Sequence, residues 1–287
     1  MTITIGVHHS NPTLYYLSRL GFAAEELTAV GETAAFHSYT DGVRTGQLLA
    51  EGVIDFGGTG STPPVTAQAA GHDIVYTAVS APRPGHGALL VSDDSSVRTV
   101  ADLKGTTVHL AIGSWQTHLV AKALDDAGLS YATDVTAVRG GPGSEQLLRS
   151  GAIAAWVAQG PELAAALRTG GVRVLIPTGD VITDRSVFFT RRDLAEDRPE
   201  VVEALVRALR RADAWAEAHL GEAAAIAAGD QGGTVDDWET ALRALPWRIE
   251  EVSEEFLAEQ QRAADVFVRT GFVDRPVTVA DAVARQH

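Results

Sequence analysis

Residues 56–71 read FGGTGSTPPVTAQAAG, the end of an apolar run that passes through small and hydroxyl residues into a proline pair and then a helical pattern. Such a turn leaves backbone N–H groups exposed and then starts a helix, because proline pre-sets a helical φ and is favoured in the first turn. The same order of β-type run, Gly- and hydroxyl-rich turn and helix recurs three more times. Turn 8–12 follows the run 2–7, turn 113–118 follows 107–111, and turn 140–144 follows 135–139. Further β-type runs fall at 34–39, 54–57, 74–79, 88–92, 154–157, 172–176 and 186–190, with helices expected from Thr13, Asp41, Pro63, Trp115 and Ser144. Alternation of this kind predicts an α/β fold with mostly parallel strands. Beyond residue 190 the pattern turns helical, with a start at Pro199 and Val202, Leu205, Val206 and Leu209 on one face.

Composition bounds the function. A chain of 287 residues suits two lobes better than one, since domains cluster near roughly 100 to 150 residues. Hydrophobic residues at 45% and charged residues at 21% belong to a globular protein, and no apolar stretch reaches the roughly 20 residues that a membrane helix needs. The net charge of −14 speaks against nucleic acid as a partner, because phosphate neutralisation needs clustered Lys and Arg. The absence of Cys excludes thiol catalysis, disulfides and thiolate metal sites. The N-terminus, MTITIGVHHS, reads as a strand and not as a secretion signal. Two locations stay open: outside the cytoplasm if a targeting segment has been removed, and cytoplasmic if Met1 is the native start.

In an open α/β sheet, ligands sit where loops and helix N-termini converge beyond the strand ends. Glycine there lets backbone approach a ligand, and free N–H groups at the positive end of the helix dipole favour an anion. Dinucleotide and phosphate-loop motifs are excluded, since Gly58-Thr59-Gly60 is followed by Pro63 where the last glycine belongs and no Lys completes a phosphate loop. His8, His9, His37, His72, His86, His109 and His118 lack metal-site spacing and read as surface or turn residues, and no cofactor or metal is expected. Asp125-Asp126 and Asp236-Asp237 read as solvated or capping pairs. Arg44, Arg83, Arg139 and Arg185 are candidates for a charge-assisted clamp, with Arg83 and Arg185 nearest the expected cleft.

The segments IDFGGTGSTPPVTAQAAGHDIVYTAV, GALLVSDDSSVRTVADLKGTTVHLAIGSWQTHLVAKALDDAGL, LLRSGAIAAWVAQGPELAAAL and FFTRRDLAEDRPEVVEALVRALRRADAWAEAH, in that order, resemble alkanesulfonate- and taurine-type solute-binding proteins of ABC importers. The resemblance covers most of the chain, and PPVxAQAAG with VADLKGxxVxL carries it. It implies a type II periplasmic-binding-protein fold, with one lobe from 1–90 and 188–287, a second from 91–187, and strands 88–92 and 186–190 as the hinge. It also implies a small organic anion as ligand and an ABC permease as partner. By the same resemblance Ser61 and Thr62 stand at the start of a first-lobe helix and Ser114, Trp115 and Gln116 at the start of a second-lobe helix. Trp156 walls the cleft, Gln159 stands beside it, and Ser10 and Asn11 line it from the first turn. Two departures bear on the ligand. Ser61 stands where many such proteins have an acidic residue, which argues against an amine-bearing ligand such as taurine. Trp156-Val157-Ala158-Gln159-Gly160-Pro161 replaces a frequent Trp-x-x-Trp-Asp-Pro, which points to a different or larger organic group. The rival reading is an enzyme on the same scaffold, similar to a pyrimidine synthase or a desulfinase. The desulfinase chemistry needs a Cys that is absent, and His9 would be the general base.

Overall fold

The computed structural model describes residues 1–284. The strands are β1 (Thr2–Val7), β2 (Thr33–Ser38), β3 (Phe56–Thr59), β4 (Ile74–Ser80), β5 (Gly87–Ser92), β6 (Thr107–Leu110), β7 (Thr136–Arg139), β8 (Ala155–Gln159), β9 (Val172–Pro177), β10 (Val187–Arg191) and β11 (Ile249–Glu250). Every run expected from the sequence forms a strand within two residues of its expected ends; only the two-residue β11 was not foreseen. The helices are α1 (Pro12–Leu17), α2 (Phe22–Thr28), α3 (Thr45–Ala50), α4 (Thr62–Ala69), α5 (Trp115–Asp126), α6 (Ser144–Arg149), α7 (Gly160–Thr169), α8 (Arg192–Asp197), α9 (Pro199–Ala218), α10 (Leu220–Gln231), α11 (Val235–Arg243) and α12 (Glu254–Arg269). None of the described helices is long and apolar enough to cross a membrane.

The strands form two sheets, ordered β11-β4-β10-β3-β1-β2 and β7-β6-β8-β5-β9. Both are mixed, and the expectation of mostly parallel strands holds within each: β1, β2, β3 and β4 share one direction in the first sheet, and β6, β7, β8 and β9 in the second. β1 runs parallel to β2 and β3, and β6 to β7 and β8, whereas β10, β5 and β11 pair antiparallel with their neighbours. The reason lies in the chain path. β5 and β10 are the strands that enter each sheet directly after the chain has crossed from the other sheet, and they arrive running the opposite way. For the same reason they are not hinge strands. Each sits in the interior of its own sheet, and the crossings are the segments 81–86 and 178–186.

Side-chain alternation shows how each sheet is covered on both faces. In β5, Leu89 and Val91 join a cluster with Leu110, Leu119 and Leu124, while Ala88 and Leu90 face Ile153, Trp156 and Ala166. In β10, Phe188 packs with Ile3, Ile5 and Leu205, and Val187 and Phe189 with Ile54, Phe256 and Phe267. The buried stripe of α9 is Val201, Ala204, Leu205, Ala208, Leu209 and Ala212, with Val202 and Val206 only half-buried. The expected face was displaced because alanines at 204, 208 and 212 let α1 and α2 approach closely. Helix α12 spans both halves: Phe256, Ala263 and Phe267 pack on the first sheet's cluster, and Val266 on the second's.

Candidate functional site

A cleft of about 1370 Å³ opens between the two sheets. The first half contributes the turn after β1, the segment after β2, Thr59 and Gly60, and the α10–α11 region. The second half contributes the loops after β6 and β7 together with Trp156, Gln159 and the start of α7. All four turns singled out in the sequence reach this cleft.

The glycines of residues 56–71 serve packing first. A side chain at Gly57 would put its Cβ 2.6 Å from Thr45 Cγ2, and one at Gly58 would collide with the Phe188 ring. At Gly60 a Cβ would lie 2.8 Å from Trp115 Cβ and 3.4 Å from Trp115 N. Gly60 therefore lets the N-terminus of α5 from the second half come against the strand end of the first. The backbone N–H groups of Gly60 and Trp115 have no acceptor among the described residues and both residues face the cleft. The pair Pro63-Pro64 removes two further donors from the start of α4, so its exposed N–H groups are confined to residues before Pro63. At α5, Ser114 Oγ accepts from Gln116 N at 3.1 Å and donates to Ala111 O at 2.7 Å.

Several expected contacts are committed elsewhere. The Thr62 hydroxyl is fully buried and donates to Ser114 O at 2.7 Å, tying α4 to the loop before α5. Ser61 turns to the rear of the molecule, where Oγ hydrogen-bonds with His118 Nδ1 at 3.0 Å and its carbonyl accepts from Gln260. Arg185 also points rearward, paired with Glu250 at 2.8 Å and Glu259 at 2.9 Å. A guanidinium saturated by two carboxylates has no reason to leave them for the cleft. Gln116 is 5% exposed, its carbonyl accepting from Ala111 N at 2.6 Å and its amide donating to Gln159. Ser10, Asn11, Ser114, Trp115, Gln116, Trp156 and Gln159 do border the cleft, and Asn11 caps α1 by accepting from Leu14 N at 3.0 Å. Of the arginine candidates, Arg83 and Arg139 border the cleft, while Arg44 is exposed away from it.

Where the two crossing segments meet, the floor holds a buried polar cluster that the sequence did not suggest. Arg83 donates to Ser186 Oγ at 3.0 Å and pairs with Asp184 at 2.9 Å; His86 Nδ1 lies 2.9 Å from the same carboxylate. Burial alone would raise the Asp184 carboxyl, but Arg83 and His86 outweigh it and hold it below the ordinary range. Burial and the Arg83 charge push the His86 imidazole down against the pull of Asp184. Asp184 adopts φ +40, a left-handed value that Asp tolerates and that these ion pairs hold in place. A separation of about one hundred residues hid this pairing. The local signal was only the Arg83–His86 spacing.

The histidines also depart from the surface reading. His8 is 7% exposed, donates from Nε2 to Gly58 O at 2.9 Å, and is pushed down to about 4 by burial. His118 is likewise pushed down to about 4 by burial. His9 is exposed at the cleft rim, with no hydrogen bond to orient it among the described residues. Among those residues no group of three or more His, Asp or Glu side chains is placed to hold a metal. Asp237 does cap α11, exchanging hydrogen bonds with the N-cap Thr234, but it is buried rather than solvated and also accepts both Arg168 Nε at 3.1 Å and Nη2 at 2.8 Å, joining α11 to α7 across the cleft.

Comparison with known proteins completes the picture. The sequence pattern of the family described as NMT1/THI5 like matches residues 28–223. A protein of Escherichia coli (strain K12) named as an aliphatic sulfonates-binding protein is 33% identical over 239 residues, covering 83% of this chain and 75% of its own. Among solved structures, the periplasmic aliphatic sulphonate binding protein SsuA from Escherichia coli superposes with a TM-score of 0.86 at 29% identity, over 100% of this chain and 92% of that one. The alkanesulfonate-binding protein SsuA from Xanthomonas axonopodis pv. citri, solved with MOPS bound, gives a TM-score of 0.86 at 26% identity, over 99% and 98%. The two-sheet architecture is therefore the periplasmic-binding-protein fold.

Proposed function

The chain belongs to the NMT1/THI5 like family, and from that premise we propose that it is a solute-binding protein that traps a small organic oxoanion, a sulfonate, for delivery to an ABC permease. The observation that carries this reading is the meeting of Gly60 and Trp115 in the cleft, each offering an uncommitted N–H from a different half of the molecule. Backbone donors at the end of a helix dipole suit a dispersed anionic charge and carry no counter-charge that water must stabilise in the open state. A ligand seated there touches both halves, which is what a closing motion requires. The lobes expected from the sequence, 1–90 with 188–287 and 91–187, need one adjustment: residues 87–90 belong to β5 of the second sheet, so we take the second lobe to begin at Gly87. Residues 285–287 lie outside those described, and the chain bends through 81–86 and 178–186. The names of the similar proteins, each a sulfonate binder, support the ligand class.

Titration calorimetry with ethanesulfonate, butanesulfonate, taurine, inorganic sulfate and acetate tests the proposal. Saturable binding of one or more sulfonates, with sulfate and acetate weaker, is the expected result. Binding of none of the organic anions overturns it.

A further inference from the structure

Two side-chain amides at the cleft have their orientation dictated by groups that can only donate. The Ala111 backbone N–H donates to Gln116 at 2.6 Å, so the atom it meets must be Oε1, and the other end of that amide must be the NH₂ group. The Trp115 indole N–H donates to Gln159 at 2.9 Å, so that atom too is Oε1. The Gln116 NH₂ then donates to the same Gln159 oxygen at 3.0 Å, and the two assignments agree. With both lone pairs of Oε1 taken, the Gln159 NH₂ group has no acceptor among the described residues, is not a buried unpaired atom, and belongs to a side chain that lines the cleft.

We infer that Gln159 is a fixed hydrogen-bond donor selecting an acceptor group on the ligand, and that Gln116 is the positioning residue that keeps it from flipping. This deepens the function proposed above and rests on it for the nature of the ligand. At this wall the cleft reads a sulfonate, sulfate-ester or carboxylate oxygen, or a hydroxyl, and disfavours an ammonium group. A flip of Gln159 would set its NH₂ against both the Trp115 and the Gln116 donors, losing two hydrogen bonds at once. The donor is therefore held by its neighbours and needs no ligand to orient it.

The test uses two nearly isosteric changes and two readouts. In Gln159→Glu, one carboxylate oxygen still accepts from Trp115 and Gln116 while the other faces the cleft, so the wall changes from donor to acceptor with its packing intact. Ethanesulfonate affinity is expected to fall by about tenfold or more, the range for a hydrogen bond to a charged group, and the ethanesulfonate-to-taurine affinity ratio to move toward taurine. In Gln116→Glu, the new carboxylate keeps the Ala111 bond but faces Gln159 with an acceptor, which draws the Gln159 NH₂ inward and breaks the Trp115 indole bond. Ethanesulfonate affinity is expected to fall here also. Hydrogen exchange of the Trp115 indole proton, followed by NMR without ligand, is expected to be slow in the parent protein and in Gln159→Glu and fast in Gln116→Glu. A ligand ratio unchanged within about twofold in Gln159→Glu, or an indole exchange rate unmoved by Gln116→Glu, overturns the inference. If the parent protein binds no sulfonate, the proposed function fails separately and the indole exchange alone decides whether the donor is fixed.

Discussion

Gly60 and Gly58 lie two residues apart, yet adding a methyl group to each is expected to damage different properties. At Gly60 the new Cβ would stand 2.8 Å from Trp115 Cβ, whereas ordinary contacts lie at 3.4–4 Å, so the facing surfaces must separate by about 0.6 Å. Trp115 belongs to the other half of the molecule, and the separation can be taken up by opening the cleft, with neither core disturbed. Overpacking costs about 1–3 kcal/mol, which corresponds to a loss of roughly 5- to 150-fold in ligand affinity if the cost falls on closure. At Gly58 the clash is with Phe188, inside the core of the first sheet, and the cost falls on folding. Calorimetry and thermal unfolding of both variants separate the cases. Gly60→Ala should raise Kd and leave the ligand-free Tm near the parent value; Gly58→Ala should lower Tm and change Kd little. If Gly60→Ala lowers the ligand-free Tm as far as Gly58→Ala and leaves Kd unchanged, the contact is part of a rigid core and the reasoning about closure is wrong.

Four further outcomes follow from the same structure. Arg168→Ala removes the bidentate pair with Asp237 that joins α7 to α11; because Arg168 is 61% exposed the effect on ligand affinity should be a few-fold, and it should shrink in high salt. Arg83→Leu leaves Asp184 buried with only His86 beside it and should cost about 3–5 kcal/mol of stability at pH 8. Without the Arg83 charge the His86 pKa rises toward protonation, so that variant should regain part of the loss below the ordinary histidine pKa, measured by urea unfolding at pH 5 and pH 8. In the parent protein His8 holds its pKa near 4 in the folded state, against 6.5 unfolded. The unfolded chain therefore binds the extra proton between those values, and stability falls as pH drops from 6.5 to 4 by at most about 3 kcal/mol from this group. Asp213, pushed up to about 7 by burial despite its bond from Thr13, acts in the opposite sense and costs stability as pH rises from 3.8 to 7. Asp213→Asn should therefore stabilise the protein at pH 8 and steepen its loss of stability in acid, which urea titration across that range measures.

The sheets were legible because their strands are short apolar runs punctuated by glycine and hydroxyl turns, and burial on both faces leaves the runs of β5 and β10 continuous while alternate residues face two different cores. The cleft was legible in outline, since turns that follow parallel strands must gather at one edge. What periodicity does not carry is direction: β5 and β10 look like their neighbours in sequence and run antiparallel to them.

The sequence by itself determined the α/β class, the position of nearly every strand and the four turns that border the cleft, because these depend on local periodicity, proline and glycine. The tertiary structure decided which side chains those turns present. Ser61 and Arg185 face the rear because His118, Gln260, Glu250 and Glu259 meet them there. Thr62 is spent on Ser114, and Gln159 is left with a free donor only because Trp115 and Gln116 converge on its oxygen. In residues 56–71 the glycines that suggested an approach to ligand turned out to admit Thr45, Phe188 and Trp115. Each of these outcomes depends on a partner far away in the chain, and hydrogen-bond capacity is assigned only when the partners have been brought together.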